Sequence, residues 1–176
     1  MSWEQELFAL FDDLESHAAA AFEAEREAEV RDRARTEYAG VELASRLVAS
    51  VGCELQIRVR ATGWITGTVD RAGTDWCLLR ARGTDWLVPT HAVLAVRGAS
   101  PRAVPPVARA AHERLGLGSA LRRLADAGEW VIAHLDDASS DEVTVERVGA
   151  DFLEARTRGG DSLLIAFAAL AAVQSR

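Results

Sequence analysis

The four histidines are the side chains of this sequence best suited to acid–base or metal chemistry near neutral pH. His17, His91, His112 and His134 lie far apart along the chain, and none belongs to an HxH, HExxH or Cys/His pattern. A metal site needs three or four such ligands that the fold brings together. The sequence therefore predicts no metal and no cofactor, and it places His91 and His134 at the surface or the rim of strands.

Adjacent carboxylates and one glycine-rich turn are further candidates for chemistry. Asp136–Asp137 and Asp141–Glu142 fall in a polar loop, where carboxylates are ordinarily solvated turn residues. The segment GLGS at 116–119 resembles a phosphate-binding turn, but it lacks the following Lys and the preceding hydrophobic strand. Ser119 is better explained as the N-cap of a helix over 119–127. No GxSxG, Walker A or GxGxxG pattern occurs, so we predict that the protein is not an enzyme.

Tryptophans and arginines offer a different chemistry, the binding of a partner or a nucleic acid. Trp64 and Trp86 are candidate partner-binding residues, because small β domains use exposed aromatic side chains for ligands and bases stack on them. The candidate phosphate contacts are Arg58, Arg60, Arg80 and Arg82. A nucleic-acid-binding face should be net basic, whereas the formal charge of the chain is −7. Core packing of the tryptophans with ordinary surface arginines is the alternative.

An internal repeat organises the elements that would position these residues. Arg71–Arg82 (RAGTDWCLLRAR) returns 76 positions later as Arg147–Arg158 (RVGADFLEARTR) without a gap. Such a self-match indicates two copies of one small unit. Two units of about sixty residues are marginal alone, so we expect them to dock on each other with a pseudo-twofold relation.

Each copy reads as a short helix followed by five short strands. Alternation of apolar and polar residues from Cys53 to Arg60 predicts a half-buried strand, and Gly73 and Gly83 predict turns. Pro89 interrupts the fourth strand because proline lacks the amide hydrogen that a sheet requires. This order of elements resembles the Sm-like (SH3-like) small barrel. The predicted fold is therefore α+β, with a long N-terminal helix and two tandem helix-plus-five-strand small barrels; two generic antiparallel meanders are the alternative.

The N-terminal segment reads as a long acidic helix. Ser2 and Gln5 fit a capping box, and no Gly or Pro occurs from residue 2 to 39. Residues 1–37 carry eleven acids and four bases, a net charge of −7, so the remainder is neutral. An apolar stripe at helical spacing comprises Trp3, Leu7, Phe8, Leu10, Phe11 and Leu14. The stripe either packs on the barrels, pairs with a second copy, or docks into the groove of a partner; Trp3, Leu7, Phe8 and Phe11 are its candidate binding residues.

The predicted organisation has four parts: an acidic helix at 1–39, a first repeat at 40–97, a Pro-rich linker with a short helical segment at 98–116, and a second repeat at 117–176. No apolar run reaches the 18 to 20 residues of a membrane span. The two cysteines, Cys53 and Cys77, are too few for a disulfide framework, and we expect both to be small core residues of a cytoplasmic protein.

Three segments resemble a known family: SWEQELFALFDDLE at the start, LGLGSALRRLADAGE in the middle and ALAAVQSR at the end. They are similar to small actinobacterial proteins that are often labelled Fis-family transcriptional regulators. The resemblance implies a regulatory or DNA-associated role. It carries over no functional residue, because Fis ends in a helix-turn-helix and this chain ends in strands.

We therefore predict a non-enzymatic protein–protein interaction or scaffold protein that uses its N-terminal helix and its Trp-rich first barrel. Its partner is another protein or a second copy of itself, and no membrane is involved. A nucleic-acid-associated transcriptional regulator is the alternative, and an enzyme with a cleft between the barrels is the least favoured.

Overall fold

The computed structural model describes residues 2–176, apart from the side chains of residues 5, 6, 9, 12 and 18. The chain separates into two compact units, residues 1–41 and 42–176. The first unit is a single helix, α1 (Trp3–Ala39), as the absence of Gly and Pro predicts. The Ser2 hydroxyl accepts a hydrogen bond from the Glu4 amide at 3.4 Å, which is the bond of an N-cap. The predicted contribution of Gln5 to this cap lies outside the described side chains.

The second unit combines two short helices with ten strands. Helix α2 is Leu43–Val48 and helix α3 is Leu117–Ala127. Single 3-10 turns occur at Thr90–Ala92, Pro106–Ala108, Ala111–Arg114 and Phe167–Ala169. The strands β1 to β10, in chain order, are Glu54–Val59, Gly63–Ala72, Trp76–Ala81, Thr84–Pro89, Val93–Arg97, Trp130–Leu135, Ser140–Val148, Phe152–Thr157, Ser162–Ala166 and Leu170–Ser175.

The strands form one antiparallel sheet that is not closed, in the order β5-β1-β2-β3-β4-β10-β6-β7-β8-β9. Each half of the chain contributes five neighbouring strands, and the two halves follow the same order. Register shifts fall at matching places, between Val69 and Arg71 in β2 and between Val145 and Arg147 in β7. The fold is therefore α+β, with a long N-terminal helix and a large sheet built by duplication.

The repeated sequence motif is a tight turn with an aromatic ring over a glycine. The amide of Gly73 donates to the carbonyl of Trp76 at 2.9 Å, and that of Gly149 donates to the carbonyl of Phe152 at 2.8 Å. A Cβ on either glycine would collide with the ring of the aromatic residue. Close approach of the ring, rather than positive φ, is thus the physical reason for glycine at both positions.

The two halves join through β4 and β10, where Leu87 pairs with Val173 and Trp86 with Gln174. The hydrophobic clusters interlock across this joint: Ala171 and Ala172 belong to the first cluster, and Trp76 and Leu87 to the second. This strand pairing and the shared clusters confirm the prediction that the two repeats dock on each other.

The predicted pseudo-twofold relation is wrong. A twofold that brought β4 against β10 would also bring β9 against β5, and those two strands lie at opposite ends of the open sheet. The joint instead places the fourth strand of one half beside the fifth strand of the other, so the two halves follow each other head to tail.

Helix α3 begins at Leu117, two residues before the predicted start. The Leu117 amide donates to Oδ1 of Asp75 at 2.7 Å, so a carboxylate from the first half caps the helix, and Ser119 is not its N-cap. The end is as predicted, at Gly128 in the left-handed conformation (φ 64°). This cap could not be predicted from the sequence, because Asp75 lies 42 positions before Leu117.

The segment 98–116 is fastened to α2. The Val104 amide donates to the Ser45 carbonyl at 3.0 Å. Arg109 is buried, and its guanidinium donates to the Ser45 hydroxyl at 2.9 Å and to the Glu42 carboxylate at 3.2 Å. These bonds hold the linker as a strap and lead the chain into α3.

Candidate interaction surfaces

The apolar side chains at the start of α1 are exposed to solvent. We call this set the N-terminal stripe; the exposed fractions are Trp3 71%, Leu7 41%, Phe8 66%, Leu10 55%, Phe11 52% and Leu14 54%. At 100° per residue, Trp3, Leu7, Leu10 and Leu14 share one narrow face of the helix, and Phe8 and Phe11 widen it. Large apolar side chains clustered in this way are typical of interaction surfaces.

Further along α1 the charges pair with one another. Arg31, Arg33 and Arg35 contact Glu27, Glu29 and Asp32 at distances of 3.6 to 3.9 Å, one helical turn apart. Such exposed pairs stabilise an isolated helix by a few tenths of a kcal/mol each. The first fifteen residues contain five acids and no base, so the segment that carries the N-terminal stripe is net negative.

Trp64 lies on the outer face of β2 and is 43% exposed. The guanidinium of Arg97 sits over its ring, 4.4 Å from the centroid, and Arg58 is its cross-strand neighbour on β1. Trp64 is therefore a partly exposed aromatic side chain beside two arginines, and one of them, Arg58, is a predicted nucleic-acid contact.

Trp86 belongs to the joint between the two halves. Its ring stacks on His134 with 5.3 Å between centroids, and Nε2 of His134 bonds to Oε1 of Gln174 at 2.9 Å. His91 reaches the same joint from the other side, with Nε2 3.1 Å from the carbonyl oxygen of Leu170. Both histidines thus have contacts that tie one half to the other, which sequence spacing could not reveal.

The other predicted arginine contacts are dispersed. Arg80 is exposed but lies 3.2 Å from Asp70 and 3.7 Å from Asp85, so its charge is largely neutralised. Arg60 follows β1 and Arg82 lies in the turn after β3, and both are exposed. The structure therefore brings Arg58 beside Trp64 and pairs Arg80 with two carboxylates.

A cleft of about 710 Å³ lies between α3 and the strands of the first half. Trp76, Leu78 and Leu87 contribute apolar surface, and its lining also includes Arg71, Arg123 and His112. The Trp76 indole donates to the Leu115 carbonyl at 2.9 Å, which closes one side. The sequence suggested a cleft between the barrels only for the least favoured function and did not identify these lining residues, because the walls come from both halves.

The cysteines differ from each other. Cys77 is buried in the first cluster, where desolvation raises the pKa of its thiol from 9.0 to about 12. Cys53 is exposed, so the prediction that both are core residues is wrong for Cys53. The reason is that β1 begins one residue later, at Glu54, and Cys53 lies in the preceding turn.

The four carboxylates that the sequence placed in a polar loop after β6 divide between that turn and the start of β7. Asp137 accepts hydrogen bonds from the hydroxyl and amide of Ser139, which lower the pKa of its carboxyl group. Glu142 binds the guanidinium of Arg158 at 2.5 and 2.7 Å. A carboxyl group with a lowered pKa is ionised at neutral pH and is a poor general acid, which fits the expectation of a solvated turn residue for Asp137. Asp141 and Glu142 lie instead in β7, opposite Ala133 and Ile132 of β6, so the prediction that they belong to the loop is wrong.

The described residues contain no group of three or more His, Cys, Asp or Glu placed to hold one metal ion. Across the same residues, no helix is both long and apolar enough to cross a bilayer. No protein-family model matches the chain, and no curated protein is significantly similar to it. The inference of function therefore rests on the surfaces described above.

Proposed function

We propose that this protein is a non-enzymatic scaffold that binds a partner protein through the N-terminal stripe of α1. The exposure of six large apolar side chains on one helical segment carries this proposal. Burying a Leu or Phe side chain contributes about 1.5–3 kcal/mol, so a groove that accepts the stripe gains substantial binding energy. A helix that docks into an apolar groove uses apolar side chains three, four and seven residues apart. The N-terminal stripe has this spacing.

The charge around the stripe indicates the chemistry of the partner. Two stripes paired in parallel would bring ten carboxylates together without a base, since each copy carries five in residues 1–15. Antiparallel pairing along the whole of α1 would oppose the stripe to residues 26–35, where Val30 is the only large apolar side chain. A staggered antiparallel pair that overlaps only at the two stripes would bring the same ten carboxylates together. A different protein, with an apolar groove bordered by Lys or Arg, fits better than a second copy of α1.

Site-specific photocrosslinking in extract of the native host tests this proposal. A benzophenone side chain at Phe11 should crosslink a protein through an apolar surface with a basic border, and peptide mapping identifies that surface. The matched control is the same probe at Phe22, an equally exposed aromatic position (68%) outside the stripe.

Leu10→Gln should reduce crosslinking from position 11 by about tenfold or more, the equivalent of one lost apolar anchor, and Val30→Gln should not. Crosslinks only to a second copy of the chain, or equal crosslinks from positions 11 and 22, would contradict it.

The finer architecture of the sheet belongs to the same proposal. We take each five-strand half as a small-barrel module. The repeated strand order, the matching register shifts in β2 and β7, and one hydrophobic cluster per half support this interpretation. Both cysteines are free thiols, and we expect the protein to act in the cytoplasm, where thiols stay reduced.

A nucleic-acid-associated regulator is the second candidate, and the exposed Trp64 beside Arg58 and Arg97 is the observation that favours it. Stacking of one base on an aromatic ring contributes about 1–3 kcal/mol. A titration of a labelled single-stranded oligonucleotide across salt concentrations discriminates the two functions. The regulator requires salt-dependent binding that Trp64→Ala weakens about tenfold and Thr66→Ala leaves unchanged, whereas the scaffold requires no binding at low salt.

A further inference from the structure

The cleft between α3 and the strands of the first half has a charged end and an apolar end. Its volume of about 710 Å³ lies within the range of small-molecule sites, about 300–1,000 Å³. Three of its lining residues form a row across the floor: Arg71 on β2 lies opposite Leu78 on β3, and Leu78 lies opposite Leu87 on β4. The floor therefore passes from a guanidinium to aliphatic side chains over about 10 Å, since neighbouring strands are about 4.8 Å apart.

Helix α3 forms the wall of the cleft beside this row. Ala120, Arg123, Leu124 and Ala127 line it, at spacings of three, four and seven residues that share one helical face. The two alanines leave space next to the floor, and Arg123 adds a second guanidinium. Among the described residues that line the cleft, none is Asp or Glu, so the charge of the lining is positive.

The second half shows how a carboxylate completes the same arrangement. Its equivalent row is Arg147 on β7, Glu154 on β8 and Leu164 on β9. The Arg147 guanidinium lies 2.7 Å from the Glu154 carboxylate. Leu164 is exposed, whereas its equivalent Leu87 is buried. In this half the carboxylate that neutralises the arginine comes from the chain itself.

The first half lacks that carboxylate, because Leu78 stands at the repeat position of Glu154. Arg71 lies 3.9 Å from Asp70, its neighbour in the chain, and Asp70 is closer to Arg80, at 3.2 Å. The duplicated arginine thus has a carboxylate across the strands in one half and an open cleft in the other. A carboxylate from outside the chain fits the place that the side-chain carboxylate fills in the second half.

The rest of the lining favours an aliphatic chain on that carboxylate. Strands β3 and β4 bond to each other and to β2 and β10 on either side, so the backbone of the floor is already paired and does not suit an extended peptide. A sugar or a nucleotide would place unpaired polar groups against Leu78 and Leu87, which costs free energy. An alkyl chain instead gains by leaving water, and a guanidinium binds a carboxylate through two parallel hydrogen bonds.

We propose that this cleft binds a medium-chain aliphatic carboxylate, a ligand of the fatty-acid class. Its carboxylate binds Arg71, as Glu154 binds Arg147, and its chain lies over Leu78 and Leu87 beside α3. The floor length of about 10 Å corresponds to a chain of about eight carbons. The lining residues all belong to the second unit, so the site does not depend on the N-terminal stripe.

Isothermal titration calorimetry of the full chain with octanoate tests the proposal. Octanoate should bind saturably, with one molecule per chain. Butyrate should bind about tenfold or more weaker, because it loses four methylenes, and 1-octanol about tenfold weaker, because it loses the charge-assisted hydrogen bonds. In ¹H–¹⁵N spectra the indole signal of Trp76, which lines the cleft, should shift with octanoate. The indole signal of Trp64, which is exposed outside the cleft, should not.

Two variants remove the proposed site in different ways. Leu78→Glu copies the second half into the first, so it should fold, and it should weaken octanoate binding about tenfold or more because the new carboxylate pairs with Arg71. Arg71→Gln removes the guanidinium and should weaken binding to a similar extent. Arg147→Gln is the matched control, since it changes the equivalent arginine that Glu154 already neutralises; it should bind octanoate as the wild type does. Thermal unfolding shows whether each variant is folded.

The proposal is overturned by the absence of saturable octanoate binding, by equal affinities for octanoate and 1-octanol, or by a folded Leu78→Glu or Arg71→Gln variant that binds as tightly as the wild type. A benzophenone at Ala127 that crosslinks another protein, in a chain that does not bind octanoate, would assign the cleft to a helix of a partner instead. Leu10→Gln on α1 should leave octanoate binding unchanged, so failure here is distinguishable from failure of the N-terminal stripe to bind its partner.

Discussion

Gly73 and Gly149 occupy the same place in the two halves, yet a methyl group should not affect them equally. Gly73 is covered by Trp76, whose indole is buried and bonded to the Leu115 carbonyl. Gly149 is covered by Phe152, which is 39% exposed and has room to move outward. Gly73→Ala should lower the free energy of unfolding by about 1–3 kcal/mol, as overpacking does, and Gly149→Ala by less. Urea denaturation followed by tryptophan fluorescence measures both, and equal losses would contradict this explanation of the repeat.

Cys77 should make the stability of the protein depend on pH in alkaline solution. The thiol of the unfolded chain loses its proton near pH 9.0, whereas burial raises its pKa in the folded state to about 12. Between these values the unfolded state binds fewer protons, so stability falls as pH rises, by about 1.4 kcal/mol per pH unit. Below pH 9 the contribution is fully present.

Denaturation at pH 8, 9 and 10 of the wild type and of Cys77→Ala measures this slope. The variant should be less stable at pH 8, because it leaves a cavity, but its stability should decline less steeply above pH 9. Cys53→Ala should keep the wild-type slope, since Cys53 is exposed. Parallel slopes for wild type and Cys77→Ala would refute the assignment.

At the scale of elements, Asp75 joins the turn before β3 to the start of α3. Asp75→Ala removes the acceptor for the Leu117 amide and should cost about 0.5–2 kcal/mol, the range for loss of an N-cap. Asp75→Asn keeps a side-chain oxygen and should be close to wild type. Asp151→Ala is the matched control at the repeat position. Among the described residues, Asp151 makes a hydrogen bond only through its backbone carbonyl, which accepts from the Phe167 amide and is retained in the variant. Thermal unfolding ranks the three variants; a loss for Asp151→Ala as large as that for Asp75→Ala would argue against a capping role.

Most elements of the sheet were predictable from local sequence. Alternation predicted the burial of Leu55, Ile57 and Val59 in β1, and Pro89 marked the 3-10 turn between β4 and β5. The start of α3 was not predictable, because its cap comes from a residue that is distant in sequence. The same holds for the cleft around Trp76, whose walls meet only after the halves have joined.

For the whole molecule, the joint between β4 and β10 is the decisive contact. It lets each half contribute to the hydrophobic cluster of the other, which suits units too small to bury a sufficient core alone. Because it joins unlike strands, it also leaves unlike strands at the two ends of the sheet.

The amino-acid sequence by itself determined the long helix, the duplication and the five strands of each copy, because these follow from spacing, turn residues and periodicity over a few positions. Tertiary structure alone decided which strands meet across the joint, which of two equivalent leucines is buried, and which carboxylate caps α3. Those outcomes depend on contacts between residues far apart along the chain. The two copies have similar local sequence, so local sequence could not tell which copy would make each contact.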